Sequence, residues 1–197
     1  MKRIAIFASG SGTNAENIVR YFAYSTTVQV ALVITNRQTA GVIDRLRPLG
    51  IDVEYFPKAE WRCPVCVTQQ LIEAGVDLVV LAGFLAVVRE PLLSSFAGHI
   101  INIHPSLLPK YGGEGMWGGN VHEAVIQAGD SESGITIHQV TAHIDGGPIL
   151  AQHTCPVFPD DTPETLETRI HHLEYVHYPR VIELLLASMR CTHCVDQ

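Results

Sequence analysis

The chain has little charge and no long apolar run. Only 17% of its 197 residues are charged while 47% are hydrophobic, and no stretch approaches the roughly twenty consecutive apolar residues of a membrane span. The N-terminal MKRIAIFASG has two basic residues but too short an apolar run for a secretory signal, so a cytoplasmic protein without membrane contact is expected. A net charge of −7 and a pI near 5.7 argue against a nucleic-acid-binding surface and leave room for a local basic pocket. Cysteine is sparse too. Four of the five form two CxxC pairs, Cys63 with Cys66 and Cys191 with Cys194, too far apart for the usual paired knuckles of a zinc site, so free thiols are expected. HExxH is absent, and His171, His172 and His177 read as a solvated helical face; no metal is expected. The length suffices to bury one core.

What is present begins with an apolar run, Ile4 to Ala8, then Ser9-Gly10-Ser11-Gly12-Thr13-Asn14, then Ile18, Val19, Phe22 and Ala23 at helical spacing. Strand, glycine loop and helix place backbone N–H groups and a helix N-terminus around a phosphate. The dinucleotide pattern G-x-G-x-x-G is broken at Asn14, and no acidic residue stands about twenty positions on to hold a ribose. Arg37, after the second strand (Val28 to Thr35), could meet a 2′-phosphate, which keeps an NADP reductase as a runner-up.

Helices are expected over Gly41 to Leu49, Val65 to Ala74 and Val121 to Ala128, with His122 and Glu123 toward solvent or the neighbouring loop. Strands are expected at Ile51 to Phe56, Leu78 to Ala82, Ile100 to Ile103, Gly134 to Val140 and Pro148 to Phe158. Thr162-Pro163-Glu164 starts a last helix, which Pro179 should kink or interrupt. This alternation calls for an α/β fold: a mostly parallel, Rossmann-like twisted sheet with helices on both faces and an antiparallel extension in the C-terminal part. Residues 1–100 form the phosphate-binding half and 101–190 the catalytic half of a single domain, with 191–197 a tail.

The chemistry concentrates in IINIHPSLLPK, Ile100 to Lys110, and in the later run HIDGG. Side chains alternate along a strand, so Asn102 and His104 leave it on one face before Pro105 stops the ladder. An amide can donate to a developing oxyanion and an imidazole can exchange a proton. Asp145, followed by Gly146 and Gly147, sits where the backbone can fold tightly enough to return a carboxylate to the imidazole. Five glycines between Lys110 and Gly119 make a loop suited to closing over a substrate.

INIHPSLLPKY followed by IDGGPIL resembles the folate-dependent formyltransferases, most closely the branch acting on glycinamide ribonucleotide, and the similarity runs from Ile4 to about Leu186. The resemblance implies formyl transfer from 10-formyltetrahydrofolate, in purine biosynthesis, with Asn102, a protonated His104 and Asp145 as the catalytic group. It places Ser11, Gly12, Thr13, Asn14, Arg62, Gly83 and Glu174 against the ribonucleotide. Phe84, Leu85, Ala86, Val87, Val88, His138, Thr141 and His143 fall against the folate. Many relatives carry a basic residue where Ala86 stands. The branch acting on methionyl-tRNA would carry a further RNA-binding domain, and a formyltetrahydrofolate hydrolase an N-terminal regulatory one. The hydrolase and a non-catalytic nucleotide-binding module remain as alternatives. Partners are small molecules, with a homodimer left open.

Overall fold

A computed structural model of the chain describes residues 1–189, so the expected tail with Cys191 and Cys194 lies outside the described residues. The elements in order are β1 (Lys2–Phe7), α1 (Thr13–Phe22), β2 (Val28–Thr35), α2 (Gly41–Leu46), β3 (Val53–Tyr55), α3 (Val65–Glu73), β4 (Leu78–Leu81) and α4 (Leu92–Ser95). They continue as β5 (Ile100–His104), α5 (Gly119–Ala128), β6 (Glu132–Gln139), β7 (Ile149–Pro156) and α6 (Pro163–Ser188). The strands form one sheet in the order β3-β2-β1-β4-β5-β6-β7. Pairings from β3 to β5 are parallel, while β5–β6 and β6–β7 are antiparallel, as the sequence pattern predicts.

The central strands are apolar on both sides because both sides are covered. Along β1, Ile4 and Ile6 join a core with Ile18 and Phe22 of α1, Val42 of α2, Val125 of α5 and Leu166, Ile170 and Tyr178 of α6. Ala5 and Phe7 point the other way, to Val67 and Leu71 of α3, Leu92 of α4 and Trp61. Burying such side chains contributes about 25 cal/mol per Å² of apolar surface removed from water. Strand order reverses at β1, which pairs with both β2 and β4, so a crevice opens beyond their carboxyl ends.

Several expectations are corrected. The second helix ends at Leu46 and tightens into a 3₁₀ turn over Arg47–Leu49, since Pro48 has no N–H to extend the α pattern. The third strand is only Val53–Tyr55, at the sheet edge. Pro179 does not interrupt α6, which runs through it to Ser188. Packing outweighs the lost hydrogen bond: Tyr178, Pro179 and Ile182 are buried, and the Tyr178 hydroxyl donates to the carbonyls of Leu81 (2.9 Å) and Ile101 (3.4 Å). His171 and His177 are half-buried, His177 stacked on His153 with centroids 3.4 Å apart, so of that histidine group only His172 is exposed. No helix among the described residues is long and apolar enough to cross a membrane.

Candidate active site

The crevice is a cavity of about 480 Å³. One end is the loop after β1. Gly12 has φ of 77°, and a Cβ there would stand 2.6 Å from Val42, so both conformation and space demand glycine. No side chain caps α1, leaving its first N–H groups to face an anion. Ser9 ties this loop to the next: its N–H donates to the Gly83 carbonyl (3.0 Å) and its hydroxyl accepts from the Leu85 N–H (2.8 Å). Ser11, Gly12, Thr13, Asn14 and Gly83 therefore line the same space.

Glu174 reaches this end from α6. It is buried, accepts from Asn14 Nδ2 at 2.8 Å and contacts His171 Nδ1 at 2.9 Å. The carboxylate's hydrogen bond raises the proton affinity of His171 above the ordinary histidine value. His122 faces inward rather than to solvent, a correction: α5 starts at Gly119, and its first buried residues are Val121 and His122. Burial lowers the pKa of His122, and its Nδ1 has no partner among the described residues, as is true of Asn14 Oδ1. Arg62 is exposed on a 3₁₀ turn and does not line the cavity, because Trp61 takes the inward place against Phe7 and Phe84. Arg37 is exposed and outside the lining as well.

A second wall is apolar. Phe84, Leu85, Ala86, Val87 and Val88 line it together with Val140, Thr141, His143 and Ile144. Phe84 and Val88 are buried, whereas Leu85, Val87, Ile144 and Trp117 are exposed at 41%, 43%, 50% and 53%. Large apolar groups left in water around a cavity mark a surface for a partly apolar ligand. Trp117 and Met116 belong to the glycine-rich loop and also line the cavity; their position inside a run of glycines was the signal that could have marked them.

Between these walls stand Asn102, His104 and Asp145. Asn102 and His104 project from β5 on one face, and β6 pairs antiparallel with β5, setting His138 opposite Asn102. Gly147 allows the return: a Cβ there would lie 1.9 Å from the Gln139 carbonyl oxygen. Asp145 thus comes to 3.7 Å from His104 Nδ1 and 3.6 Å from His138 Nε2.

Carbonyl oxygens only accept, which fixes both rings. His104 Nε2 lies 2.8 Å from the Tyr111 carbonyl and so carries its proton. His138 Nδ1 lies 2.9 Å from the Gln139 carbonyl, leaving Nε2 to accept from Asn102 Nδ2 at 3.2 Å in the neutral ring. Asp145 accepts instead from the Gly113 N–H at 2.9 Å. Burial would raise the Asp145 pKa, but His138, this N–H and His104 together hold it below the ordinary carboxyl value. For His104 burial wins over the attraction of Asp145 and the Tyr111 hydrogen bond, and its pKa falls below 6.5. Burial thus shifts His104 toward its neutral form.

A profile of the formyl transferase family matches residues 2–182. The chain is 40% identical over 187 residues to the chloroplastic phosphoribosylglycinamide formyltransferase of Arabidopsis thaliana, covering 92% of this chain and 64% of that protein, less than two thirds of its length. It is 38% identical over 191 residues to the phosphoribosylglycinamide formyltransferase of Bacillus subtilis (strain 168), covering 94% and 95%. Among solved structures, glycinamide ribonucleotide transformylase 1 from Symbiobacterium toebii is similar with a TM-score of 0.86 and 36% identity, over 95% of this chain and 88% of that one. With the family's profile running through both walls and the polar group between them, the chain belongs to the formyl transferase family.

Proposed function

We propose that this chain transfers the formyl group of 10-formyltetrahydrofolate to the primary amine of glycinamide ribonucleotide, a step of purine biosynthesis. One observation carries the reading: a single cavity joins a one-phosphate cradle, an apolar wall fit for a pterin, and an amide, imidazole and carboxylate set between them. The names of the relatives support it. The N–H groups at the start of α1 hold the phosphate, and Glu174 and Asn14 hold the ribose. The backbone of residues 83–88 and 140–144 offers donors and acceptors to the pterin, so the missing basic side chain at Ala86 alters the rim more than the floor. A cytoplasmic location suits these soluble substrates.

As the amine attacks the formyl carbon, negative charge develops on the formyl oxygen and positive charge on the nitrogen. Asn102 has an amide hydrogen beyond the one given to His138 and donates it to that oxygen. His104 has one free nitrogen, Nδ1, and takes the proton there, directly or through water. Asp145, 3.7 Å away, stabilises the charged ring beside the new oxyanion, and the proton then passes to N10 of the leaving folate.

The test mixes purified protein with 10-formyltetrahydrofolate and follows the deformylated folate with and without glycinamide ribonucleotide. Release that requires the ribonucleotide is expected. Equal release without it identifies a hydrolase, and none in either case a binding module or the reductase.

A further inference from the structure

We propose that His122 is a binding residue for the phosphate of the ribonucleotide and takes up a proton when that dianion enters the cavity. The inference rests on the formyl-transfer reading for the identity of its ligand.

The cavity has no fixed cation of its own. Among the described residues no lysine or arginine lines it, whereas Glu114, Asp145, Glu167 and Glu174 do. Arg45 stands behind the cradle, donating to the Ser11 carbonyl at 2.7 Å and paired with Glu16 at 2.9 Å. A phosphomonoester carries close to two negative charges above neutral pH, and peptide N–H groups at a helix start offset only part of them. The rest must come from protons. Five histidines line the cavity, and four are already committed. His104 and His138 face Asp145. His171 stands between two carboxylates, 2.9 Å from Glu174 and 3.7 Å from Glu167. His143 is exposed on the apolar wall.

His122 is the ring that remains. It is 2% exposed and makes no ion pair among the described residues, so it is buried neutral, and burial holds its pKa below the ordinary value. Its Nδ1 has no hydrogen-bond partner there. Whichever nitrogen carries the proton, a buried donor or acceptor is left unanswered by the protein. The ring belongs to the first turn of α5, whose N-terminus no side chain caps and whose preceding Gly118 also lines the cavity. Two open helix starts, those of α1 and α5, thus border one space. An anion drawn to them raises the proton affinity of an imidazole beside it, and the ring gains its second N–H from solvent. The charged and titratable groups facing His122 are Glu167, His171 and Glu174 from α6 and His104 from β5; on its own helix Glu123 is exposed.

Calorimetric titration with glycinamide ribonucleotide, folate absent, in two buffers of different ionisation enthalpy counts the protons taken up. Wild type should take up about half to one proton more than His122→Asn; the ligand's amine titrates alike with both proteins and cancels in the difference. From about pH 7 to 8 the wild-type Kd should weaken about threefold to tenfold more per pH unit than that of the variant. Thermal unfolding checks that His122→Asn is folded, and His122→Gln takes its place if it is not. Equal uptake by wild type and the folded variant overturns the proposal, as does uptake lost in His171→Gln and kept in His122→Asn. A wild type that does not bind the ribonucleotide overturns both this inference and the functional reading, whereas the expected proton difference without formyl transfer refutes the functional reading alone.

Discussion

The two ends of the cavity are built by different means. The anion cradle beneath α1 is made of backbone: peptide N–H groups, a glycine whose φ and surroundings suit no other residue, and a helix terminus left open. The end on β5 is made of side chains whose orientation depends on burial and on loops that arrive from elsewhere in the chain. A backbone cradle needs little beyond correct local conformation and can be specified within a few residues. A side-chain constellation needs partners about forty residues apart in sequence, and its chemistry is set by what those partners exclude or donate.

The sharpest way to separate the ends is to remove one group from each. Asn102→Ala should lower kcat on the order of a hundredfold or more, as loss of an oxyanion donor commonly does, with binding of the ribonucleotide nearly intact in a titration. Gly12→Ala should act the other way, because its Cβ meets Val42 at 2.6 Å and its φ of 77° is unfavourable for alanine. Ribonucleotide affinity should drop at least tenfold, and thermal unfolding should show a loss of about 1–3 kcal/mol. Equal effects of the two substitutions on binding would break the comparison.

The histidines around the cavity should also differ in their response to acid. His104 and His122 have folded pKa values below the 6.5 of a free histidine, so the unfolded chain binds protons that the folded one refuses. Their contribution makes stability fall as pH drops below about 6.5. His171 has a raised value from Glu174, so its contribution is full below 6.5 and is lost as pH rises through the folded value. Denaturant midpoints measured from pH 5 to 8 should therefore lose part of their acid slope in His104→Gln and part of their alkaline slope in His171→Gln. Identical profiles for both variants would contradict this.

The smallest effect is expected at Arg45, whose guanidinium donates to the Ser11 carbonyl at 2.7 Å and to Glu16 at 2.9 Å from a largely exposed position. Arg45→Ala should raise KM for the ribonucleotide a fewfold and leave kcat unchanged, since solvent-exposed pairs contribute little.

This difference between the ends also explains what could be read without coordinates. The glycine cradle, the parallel sheet and its antiparallel extension follow from local pattern: a strand, a loop that only glycine satisfies, a helix, then repetition. Asn102 and His104 follow from strand alternation, and the glycines after Asp145 suggest its return. The downward shift of the His104 pKa was not legible, because it comes from burial, and neither was the carbonyl that a left-handed Tyr111 sets against its Nε2. His122 escaped because the first turn of α5 includes Gly119 and Asn120, poor helix formers whose place is set by packing. Arg62 misled because its neighbour Trp61, buried between Phe7 and Phe84, turns the arginine outward.

The phenol of Tyr178 joins α6 to Leu81 and Ile101, which stand two residues before Gly83 and one before Asn102. Because α6 also supplies Glu174, a chain still emerging from the ribosome cannot complete the floor between its two central strands until this segment is free. Synthesis order thereby withholds a finished pocket until α6 has been made.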